Sequence, residues 1–320
     1  MMKQKVAAVI GPTASGKTAL SVALANALGG EIVSADSMQI YKYMDIATAK
    51  PTQDEKQGIP HHLMDFLEPT ESFSVARYCE LASDAIKDIA ARGRLPIIAG
   101  GTGLYVDALL GGMRFEEQEA DPALRAQITK ELEEKGIDAM LDEIRAFDPD
   151  SADRLSAGRN PKRIIRCIEV YRLTGMTQTQ LNEKQRTNES PYDTVKIGLT
   201  AADREYLYER IDRRVDLMME SGLLEEARRF YDSGFSDTAA AAIGYKELLP
   251  YLRNEQELSV CVASLKRSTR RYAKRQLTWF RRDDTVHWFN IDELSFDTIV
   301  SESIRLLFVN CRDEHCSSAE

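Results

Sequence analysis

The sequence predicts an α/β protein in which helices flank a parallel sheet and an all-helical subdomain is inserted between two strands. Short apolar segments alternate with helical patterns over about the first 100 residues, as in parallel sheets that are covered by helices. From about Phe115, charged helical patterns replace the strands until the segment TVKIGLT at 194–200. A glycine-rich turn also joins the first apolar segment to the first helical one, which is typical of a phosphate-binding α/β fold.

The segments VAAVI, EIVSA, HHLMDFL and LPIIAGG are predicted to be the first four strands, with a helix at 74–92 before the last of them. After 194–200, helical patterns run from 203 to 281, TVHWFNI is a last strand, and a closing helix covers about 295–309. Turn residues in LLGGM and NESPYD bound the charged helices. We therefore predict a discontinuous core domain of residues 1–114 and 195–310, a helical insertion domain of residues 115–194, and a tail of residues 311–320.

Composition points to a cytoplasmic protein with no membrane span. No apolar run approaches the roughly 18 residues that a transmembrane helix needs. The five cysteines are an odd number at scattered positions, as expected for reduced thiols. A net charge of −9 argues against nucleic acid, but residues 266–282 contain eight Lys or Arg and no acid. The local field of such a segment matters more than the total charge.

The stretch GPTASGKT matches the phosphate-loop pattern G-x-x-x-x-G-K-[ST] at every fixed position. A strand that runs into such a turn and then a helix directs backbone N–H groups and the helix dipole at one anion. Lys17 adds a positive charge, and the hydroxyl of Thr18 is expected to bind Mg²⁺. The predicted fold is therefore a P-loop NTPase-like sheet, and the predicted polyphosphate site comprises Gly11, Pro12, Thr13, Ala14, Ser15, Gly16, Lys17 and Thr18.

Two further strand ends are predicted to reach the same edge of the sheet. EIVSADSMQ ends at Asp36, which is either a Mg²⁺ ligand, a general base for a second substrate, or a turn-capping residue. The segment IIAGGTGLY ends in glycines and Thr102 without the acidic residue that many phosphate-loop hydrolases carry there. This favours a site that binds an acceptor substrate over one that positions water.

Basic residues cluster on three predicted helices. Arg210 and Arg214 share one helical face and are either part of an exposed amphipathic surface or directed at the phosphate loop. In 266–282, basic residues follow one broad side, and Tyr272, Gln276 and Trp279 follow another. The insertion adds Lys162, Arg163 and Arg166. These helices are either solvated charged surfaces or an RNA-binding surface.

The motifs GPTASGKT, SADSMQIYKYMDIATAKP, GIPHHLMD, IIAGGTGLY, IGYKEL and RRYAKRQLTWFR occur here in the order found in tRNA dimethylallyltransferases, also called tRNA isopentenyltransferases. The chain resembles this family from about residue 5 to residue 290. Eukaryotic members carry a C-terminal zinc finger that this sequence lacks, so the resemblance is to the bacterial type.

The resemblance implies transfer of a dimethylallyl group from dimethylallyl diphosphate to N6 of adenosine 37, next to the anticodon of tRNA. Asp36 would be the base, while Thr13, Lys17, Arg214 and Mg²⁺ near Thr18 would hold the diphosphate. The segment from Asp36 through Ser37 and Met38 to Gln39 would read the flipped base. The remaining implied tRNA contacts are Thr102, Gly103, Arg125, Lys162, Arg163, Arg166, Gly244, Tyr245, Arg271, Lys274, Arg275, Gln276, Trp279 and Arg281. The protein is expected to act as a monomer on the anticodon stem-loop.

Three other functions are weighed against this one: an adenylate isopentenyltransferase that uses a free nucleotide, a small-molecule kinase, and an RNA-binding protein without catalysis. The basic helices argue against the first, and the complete phosphate loop argues against the last. The chain departs from the family at Ala241, where members often carry Gln, and at Asn160-Pro161. Because proline suits the first turn of a helix, the basic helix is expected to persist there.

Overall fold

The computed structural model describes residues 3–113, 121–186, 189–233, 236 and 239–309. Within them, six strands form one sheet in which every neighbouring pair is parallel. The strands are β1 (Gln4–Ile10), β2 (Gly30–Ser34), β3 (His61–His62), β4 (Leu95–Gly100), β5 (Tyr192–Thr200) and β6 (Val286–Asn290). Their order across the sheet is β3-β2-β4-β1-β5-β6. The predicted α/β class with a parallel sheet is confirmed.

The helices are α1 (Lys17–Leu28), α2 (Gln53–Lys56), α3 (Val75–Ala91), α4 (Gly103–Leu110), α5 (Pro122–Phe147), α6 (Pro149–Gly158), α7 (Pro161–Thr174), α8 (Gln178–Arg186), α9 (Arg204–Glu220), α10 (Leu223–Ser233), α11 (Tyr245–Leu252), α12 (Leu258–Phe280) and α13 (Phe296–Val309). The predicted helices at 74–92 and 295–309 correspond to α3 and α13. The chain forms two compact units, Met1–Leu110 with Ser190–Glu320, and Gly111–Glu189. No helix in the described ranges is long and apolar enough to cross a membrane.

The central strands are buried on both faces. All residues from Val6 to Ile10 of β1 are buried, and so are all five of β2. Ala7 and Val9 share a hydrophobic cluster with Leu20 of α1 and Ile299 of α13. Since alternate side chains of a strand point to opposite faces, the burial of both sets requires cover on both sides. This explains why the strand segments read as continuous apolar runs.

The carboxyl ends of three adjacent strands define the edge where the site lies. In the sheet, β4 lies between β1 and β2. The strands β1, β2 and β4 end at Ile10, Ser34 and Gly100, so the segments that follow them emerge side by side. These segments contain the phosphate loop, Asp36 and Thr102.

The segment that follows β2 has a hydrophobic core of its own. Ile40, Tyr41 and Met44 are fully buried and belong to a cluster with residues of α9, α10, α11 and α12. The sequence pattern of this segment has no regular period because the side chains pack against several helices instead of one sheet face. The connection between β2 and α2 is long and contains no helix or strand. The burial of these three side chains holds it in place.

Two predicted boundaries need correction. The predicted strand HHLMDFL is limited to His61–His62, because Leu63 and Asp65 adopt φ values of 57° and 61° that turn the chain. The predicted insertion included residues 192–194, but Tyr192 pairs with Gln4 and begins β5. The predicted tail at 311–320 lies outside the described residues.

The Gly111–Glu189 unit is built from α5 to α8. Its core includes Ile128, Met140, Ile144, Ile164 and Ile168, which are all fully buried. α7 begins at Pro161, and the side chain of Asn160 caps it by accepting a hydrogen bond from the Arg163 N–H at 3.3 Å. The prediction that Asn160-Pro161 preserves this helix is therefore confirmed.

Candidate active site

The phosphate loop joins β1 to α1 through two glycines at positive φ. Gly11 has a φ of 143°, and a Cβ atom there would lie 2.4 Å from the carbonyl oxygen of Leu199, so only glycine fits. Gly16 has a φ of 94° and precedes the first residue of α1. Between them, Ala14 adopts a left-handed φ of 63°. Alternating right- and left-handed residues give the concave array of N–H groups that binds anions.

The side chains of the loop close it on itself. The Ser15 hydroxyl donates to the Pro12 carbonyl oxygen at 2.9 Å, and the Lys17 Nζ donates to the same oxygen at 2.7 Å. The Lys17 ammonium therefore lies across the loop that it follows in sequence. The predicted polyphosphate-binding residues are thus gathered into one compact turn.

Helix α9 contributes two arginines to this turn. The Arg210 Nε donates to the Ala14 carbonyl oxygen at 2.8 Å, and an Arg214 guanidinium nitrogen donates to the Thr13 hydroxyl at 3.2 Å. The alternative in which both arginines belong only to an exposed amphipathic surface is wrong. Their four-residue spacing places both on the helical face that contacts the loop.

Burial makes this cluster of positive charge costly without an anion. Burial above all, together with the nearby Arg214 guanidinium, lowers the pKa of Lys17 to about 7, while the Asp36 carboxylate opposes the shift. Burial also lowers the pKa of Arg214, with Asp36 again opposing. A bound anion would favour the protonated state of both groups. The site is therefore electrostatically prepared for a polyanionic ligand.

Asp36 follows β2 and forms a turn with the residues after it. Its Oδ1 accepts hydrogen bonds from the N–H groups of Met38 at 2.9 Å and Gln39 at 3.4 Å. The turn-capping interpretation of Asp36 is therefore correct for one oxygen. Because both bonds fall on Oδ1, they leave Oδ2 as the oxygen that could accept a proton from a substrate.

Thr102 joins this turn to the end of β4. Its hydroxyl accepts a hydrogen bond from the Ser37 N–H at 3.0 Å and lies 3.3 Å from the Ser37 hydroxyl. A Cβ atom at Gly100 would lie 2.2 Å from the Ala35 carbonyl oxygen, so the glycine allows the two strand ends to approach. The structure thus brings Asp36, Ser37 and Thr102 together, as their predicted shared role requires.

Gln276 lies on α12 but does not face solvent. Its Oε1 accepts from the Thr13 N–H at 2.8 Å, and its Nε2 donates to the Gly101 carbonyl oxygen at 2.9 Å. The residue is only 5% exposed. A surface contact between Gln276 and tRNA does not fit this position; the side chain instead attaches α12 to the phosphate loop and to the glycine turn.

Trp279 makes the second attachment of α12. Its Nε1 donates to an Asp107 carboxylate oxygen at 2.8 Å, and its ring occupies the space that a Cβ atom at Gly103 would need. The Arg282 guanidinium lies over the indole at 4.2 Å from the ring centroid. Predicted tRNA contacts at Gly103 and Trp279 therefore involve residues that already pack against each other.

The basic side of α12 divides into two sets. Lys266 and Arg270 form ion pairs with Asp216 and Asp212 of α9, at 2.6 and 2.8 Å. These two residues hold the helices together and do not form part of an open basic surface. The other basic residues of this segment are exposed: Arg267, Arg271, Lys274, Arg275, Arg281 and Arg282.

In the Gly111–Glu189 unit, two predicted tRNA contacts surround one acid. Arg125 and Arg166 each form an ion pair at 2.8 Å with Glu169, whose side chain is only 1% exposed. Lys162 and Arg163 are exposed in the first turn of α7. The acid holds two guanidinium groups in fixed positions, which reduces the entropy that they would lose on binding a phosphate.

The predicted contacts Gly244 and Tyr245 lie in the protein interior. Tyr245 is 3% exposed, and its hydroxyl donates to the carboxylate of Glu226 at 2.8 Å. A Cβ atom at Gly244 would lie 3.2 Å from the Ala47 Cβ. Both residues therefore support the segment after β2. Glu226 was not predicted, although its position between Leu223 and Phe230 in an apolar helical stripe is a signal that could have indicated a buried acid.

Thr18 is the predicted magnesium ligand, and it follows Lys17 in the first turn of α1. Hydroxyl, phosphate and water oxygens are ligands that Mg²⁺ prefers, so this position fits such an ion. In the ranges that the structure describes, no group of three or more His, Cys, Asp or Glu side chains could hold a metal ion. Any magnesium site here would thus depend on ligand oxygens in addition to Thr18.

The sheet, the loop between β1 and α1, and its cationic side chains define an α/β phosphate-loop protein. A model of the IPP transferase family matches residues 39–283, and a model named isopentenyl transferase matches residues 4–68. The chain belongs to the IPP transferase family, as the sequence motifs predicted.

Relatives with curated names agree with this assignment. The chain is 47% identical over 302 residues to a tRNA dimethylallyltransferase of Acetivibrio thermocellus, covering 94% of this chain and 96% of the relative. It is 49% identical over 292 residues to a tRNA dimethylallyltransferase of Bacillus cytotoxicus, covering 91% and 92%.

Solved structures show the same fold. The full-length tRNA isopentenylpyrophosphate transferase of Bacillus halodurans superposes with a TM-score of 0.73 at 43% identity, covering 98% of this chain and all (100%) of that one. A eukaryotic dimethylallyltransferase that acts on tRNA gives a TM-score of 0.80 at 30% identity, covering 96% and 79%. The P-loop-like fold predicted from the sequence is therefore confirmed.

Proposed function

We propose that this protein transfers a dimethylallyl group from dimethylallyl diphosphate to N6 of adenosine 37 in tRNA and releases diphosphate. One observation supports the proposal most strongly: the phosphate loop and Asp36 lie at the same edge of the sheet. Thr13, Lys17 and Arg214 lie on the donor side, and the Asp36 carboxylate lies on the acceptor side. The names of the relatives in the IPP transferase family support tRNA as the acceptor and a prenyl diphosphate as the donor.

Thr13, Lys17 and Arg214 are proposed to hold the diphosphate of the donor. As the bond between the allylic carbon and the diphosphate oxygen breaks, negative charge develops on the leaving group. The Lys17 ammonium and the Arg214 guanidinium lie at the loop that would bind it, so they can stabilise that charge without rearrangement. Magnesium held through Thr18 would add Lewis-acid neutralisation of the same oxygens.

Asp36 is proposed to accept the proton from N6. The exocyclic amine is a poor nucleophile because its lone pair is delocalised into the ring, so its attack needs a base. N6 forms a bond to the allylic carbon, the diphosphate takes the electron pair of the broken C–O bond, and the proton passes to the Asp36 carboxylate. The turn bonds on Oδ1 hold the carboxylate in place for this step.

The exposed basic residues of α12 are proposed to bind the tRNA backbone. Arg271, Lys274 and Arg275 lie on the same helix as Gln276, which contacts the phosphate loop. A single helix would thus contact the acceptor RNA with one face and the donor site with the other. Arg125, Lys162, Arg163 and Arg166 of the insertion are proposed to add contacts to the anticodon stem-loop, with the protein acting as a monomer.

The test is label transfer. Purified protein, Mg²⁺ and radiolabelled dimethylallyl diphosphate are incubated with unmodified tRNA in one tube and with AMP in another. Label in tRNA alone supports the proposal. Label in AMP alone would replace this function with that of an adenylate isopentenyltransferase. If neither acceptor is labelled, consumption of ATP in a third tube would indicate a kinase.

A further inference from the structure

The carboxylate of Glu226 is buried and fully used in hydrogen bonds. Glu226 lies on α10 and is 2% exposed. Its Oε2 accepts from the N–H groups of Asp45 at 2.9 Å and Ile46 at 2.8 Å. Its Oε1 accepts from the Ala47 N–H at 2.9 Å and the Tyr245 hydroxyl at 2.8 Å. Each oxygen thus receives two donors, which is the arrangement that an ionised carboxylate favours over any neutral side chain.

Three of these four donors are consecutive backbone groups of the segment that follows β2. A carboxylate that binds three successive N–H groups fixes the direction of each peptide plane. The N–H of Ala49 then bonds to the Ile46 carbonyl oxygen at 3.0 Å, and the N–H of Lys50 bonds to the Asp45 carbonyl oxygen at 2.9 Å. The turn formed by residues 45–50 is therefore built on Glu226.

This turn holds the side chain of Gln39. The Gln39 Nε2 donates to the carbonyl oxygens of Thr48 at 3.1 Å and Ala49 at 3.2 Å. The backbone N–H of Gln39 bonds in turn to Asp36 Oδ1 at 3.4 Å. A continuous set of hydrogen bonds therefore leads from Glu226 through the 45–50 turn and Gln39 to Asp36.

We propose that Glu226 is a positioning residue for acceptor-side chemistry, and that Tyr245 orients its carboxylate. Glu226 holds the 45–50 turn, the turn holds Gln39, and Gln39 keeps the Asp36 turn in place. This inference rests on the proposed function, because it assigns Asp36 and Gln39 to the acceptor. It predicts that the acceptor side depends on Glu226 and that the donor side, built on the phosphate loop and α9, does not.

The test compares Glu226→Gln with a matched control, Glu31→Gln. Glu31 is equally buried at 2% exposed and is hydrogen-bonded to Arg92 and His62. It lies in β2 near the amino end of the strand, whereas Asp36 follows the carboxyl end. Glutamine keeps the shape of each side chain but presents an NH₂ group to a donor and removes the charge. Both variants should lose stability.

Only Glu226→Gln should lose acceptor-side activity when both are assayed well below their unfolding midpoints. We expect kcat/KM for tRNA to fall roughly tenfold to a hundredfold, as for a small displacement of catalytic groups. KM for dimethylallyl diphosphate should stay within about twofold of wild type. Tyr245→Phe removes one of the four donors, and we expect an intermediate loss of the same kind.

Equal kcat/KM in Glu226→Gln and Glu31→Gln would overturn the proposal. So would a parallel rise in the KM for the donor, since that would indicate general loss of structure. If Glu226→Gln does not fold, Tyr245→Phe decides: unchanged kcat/KM for tRNA would overturn the proposal. Failure of the wild-type protein to modify tRNA would contradict the proposed function instead, so the two failures are distinguishable.

Discussion

Diphosphate binding should be coupled to uptake of a proton by Lys17. Burial above all, together with Arg214, lowers the pKa of Lys17 from an ordinary value of 10.5 to about 7, while Asp36 partly opposes the shift. Between pH 7 and pH 10.5, Lys17 is therefore mostly neutral in the ligand-free protein, whereas a diphosphate in the loop would favour the ammonium. Full restoration of the ordinary pKa corresponds to about 5 kcal/mol of interaction between the ammonium and the ligand.

The sign of the effect on stability follows from the same shift. Between pH 7 and 10.5 the unfolded chain binds more protons at Lys17 than the ligand-free folded protein does. The contribution of this group to the free energy of unfolding is therefore greatest above 10.5 and falls as the pH decreases towards 7. Diphosphate should reduce this pH dependence.

Calorimetry in two buffers with different ionisation enthalpies measures the protons taken up when inorganic diphosphate binds. Lys17→Arg is the matched control because a guanidinium keeps its charge and takes up no proton in this range. Protons that the diphosphate itself gains or loses on binding contribute equally in wild type and Lys17→Arg. The difference in proton uptake between the two proteins therefore reports on Lys17 alone. In the middle of the pH window, wild type should take up nearly one proton more than Lys17→Arg. Equal uptake would show that Lys17 does not gain a proton when diphosphate binds.

Three further predictions concern catalysis, RNA binding and stability. Asp36→Asn keeps an Oδ1 acceptor for the turn but removes the general base, so it should lower kcat by about a hundredfold or more while tRNA affinity stays nearly unchanged. Equal losses of rate and of affinity in filter binding would make Asp36 a recognition residue. Replacing Arg271 and Lys274 by Glu should weaken binding to all tRNAs and flatten the slope of log K against log salt concentration by at least about one unit per residue. The control Lys87→Glu on α3 should leave both affinity and slope unchanged. An unchanged slope in the α12 variant would exclude this helix from the tRNA interface. Glu31→Gln should lower the free energy of unfolding by about 3 kcal/mol, because the pKa of Glu31 is lowered to about 2 in the folded protein. The hydrogen bond from Arg92 is the main cause of this shift, His62 adds to it, and burial opposes it. A depressed carboxyl pKa stabilises above the ordinary 4.5 and less as pH falls towards 2, so denaturant melts of the two proteins should converge at acid pH; a pH-independent difference would contradict this assignment.

The parts of the site that depend on local sequence were predictable. The phosphate loop is a continuous motif whose glycines are required by its own backbone, and Gly11 and Gly16 indeed have positive φ. The alternation of apolar and helical segments similarly predicted the parallel sheet. The four-residue spacing of Arg210 and Arg214 predicted that the two side chains share a helical face. Only the structure shows that this face contacts the phosphate loop.

The parts that depend on distant contacts could not be predicted. Gln276 contacts Thr13, a residue 263 positions away, and nothing in the pattern around either residue indicates the other. A charged helix such as α12 shows which residues share a side, but not that Lys266 and Arg270 find acids on α9. Glu226 likewise could be placed in an apolar stripe, yet its three backbone partners lie in a segment without regular secondary structure.

We propose that this phosphate loop binds a prenyl diphosphate, whose hydrocarbon group is transferred to an adenosine of tRNA. The most direct measurement is mass spectrometry of the nucleosides and nuclease fragments of an unmodified tRNA after incubation with the protein, Mg²⁺ and dimethylallyl diphosphate. We expect one dimethylallyl group on N6 of the adenosine next to the anticodon, formed at least about a hundredfold more slowly when Asp36→Asn replaces wild type. A dimethylallyl group on another nucleoside would contradict this function, and so would unchanged tRNA if the same preparation consumed ATP in a separate incubation.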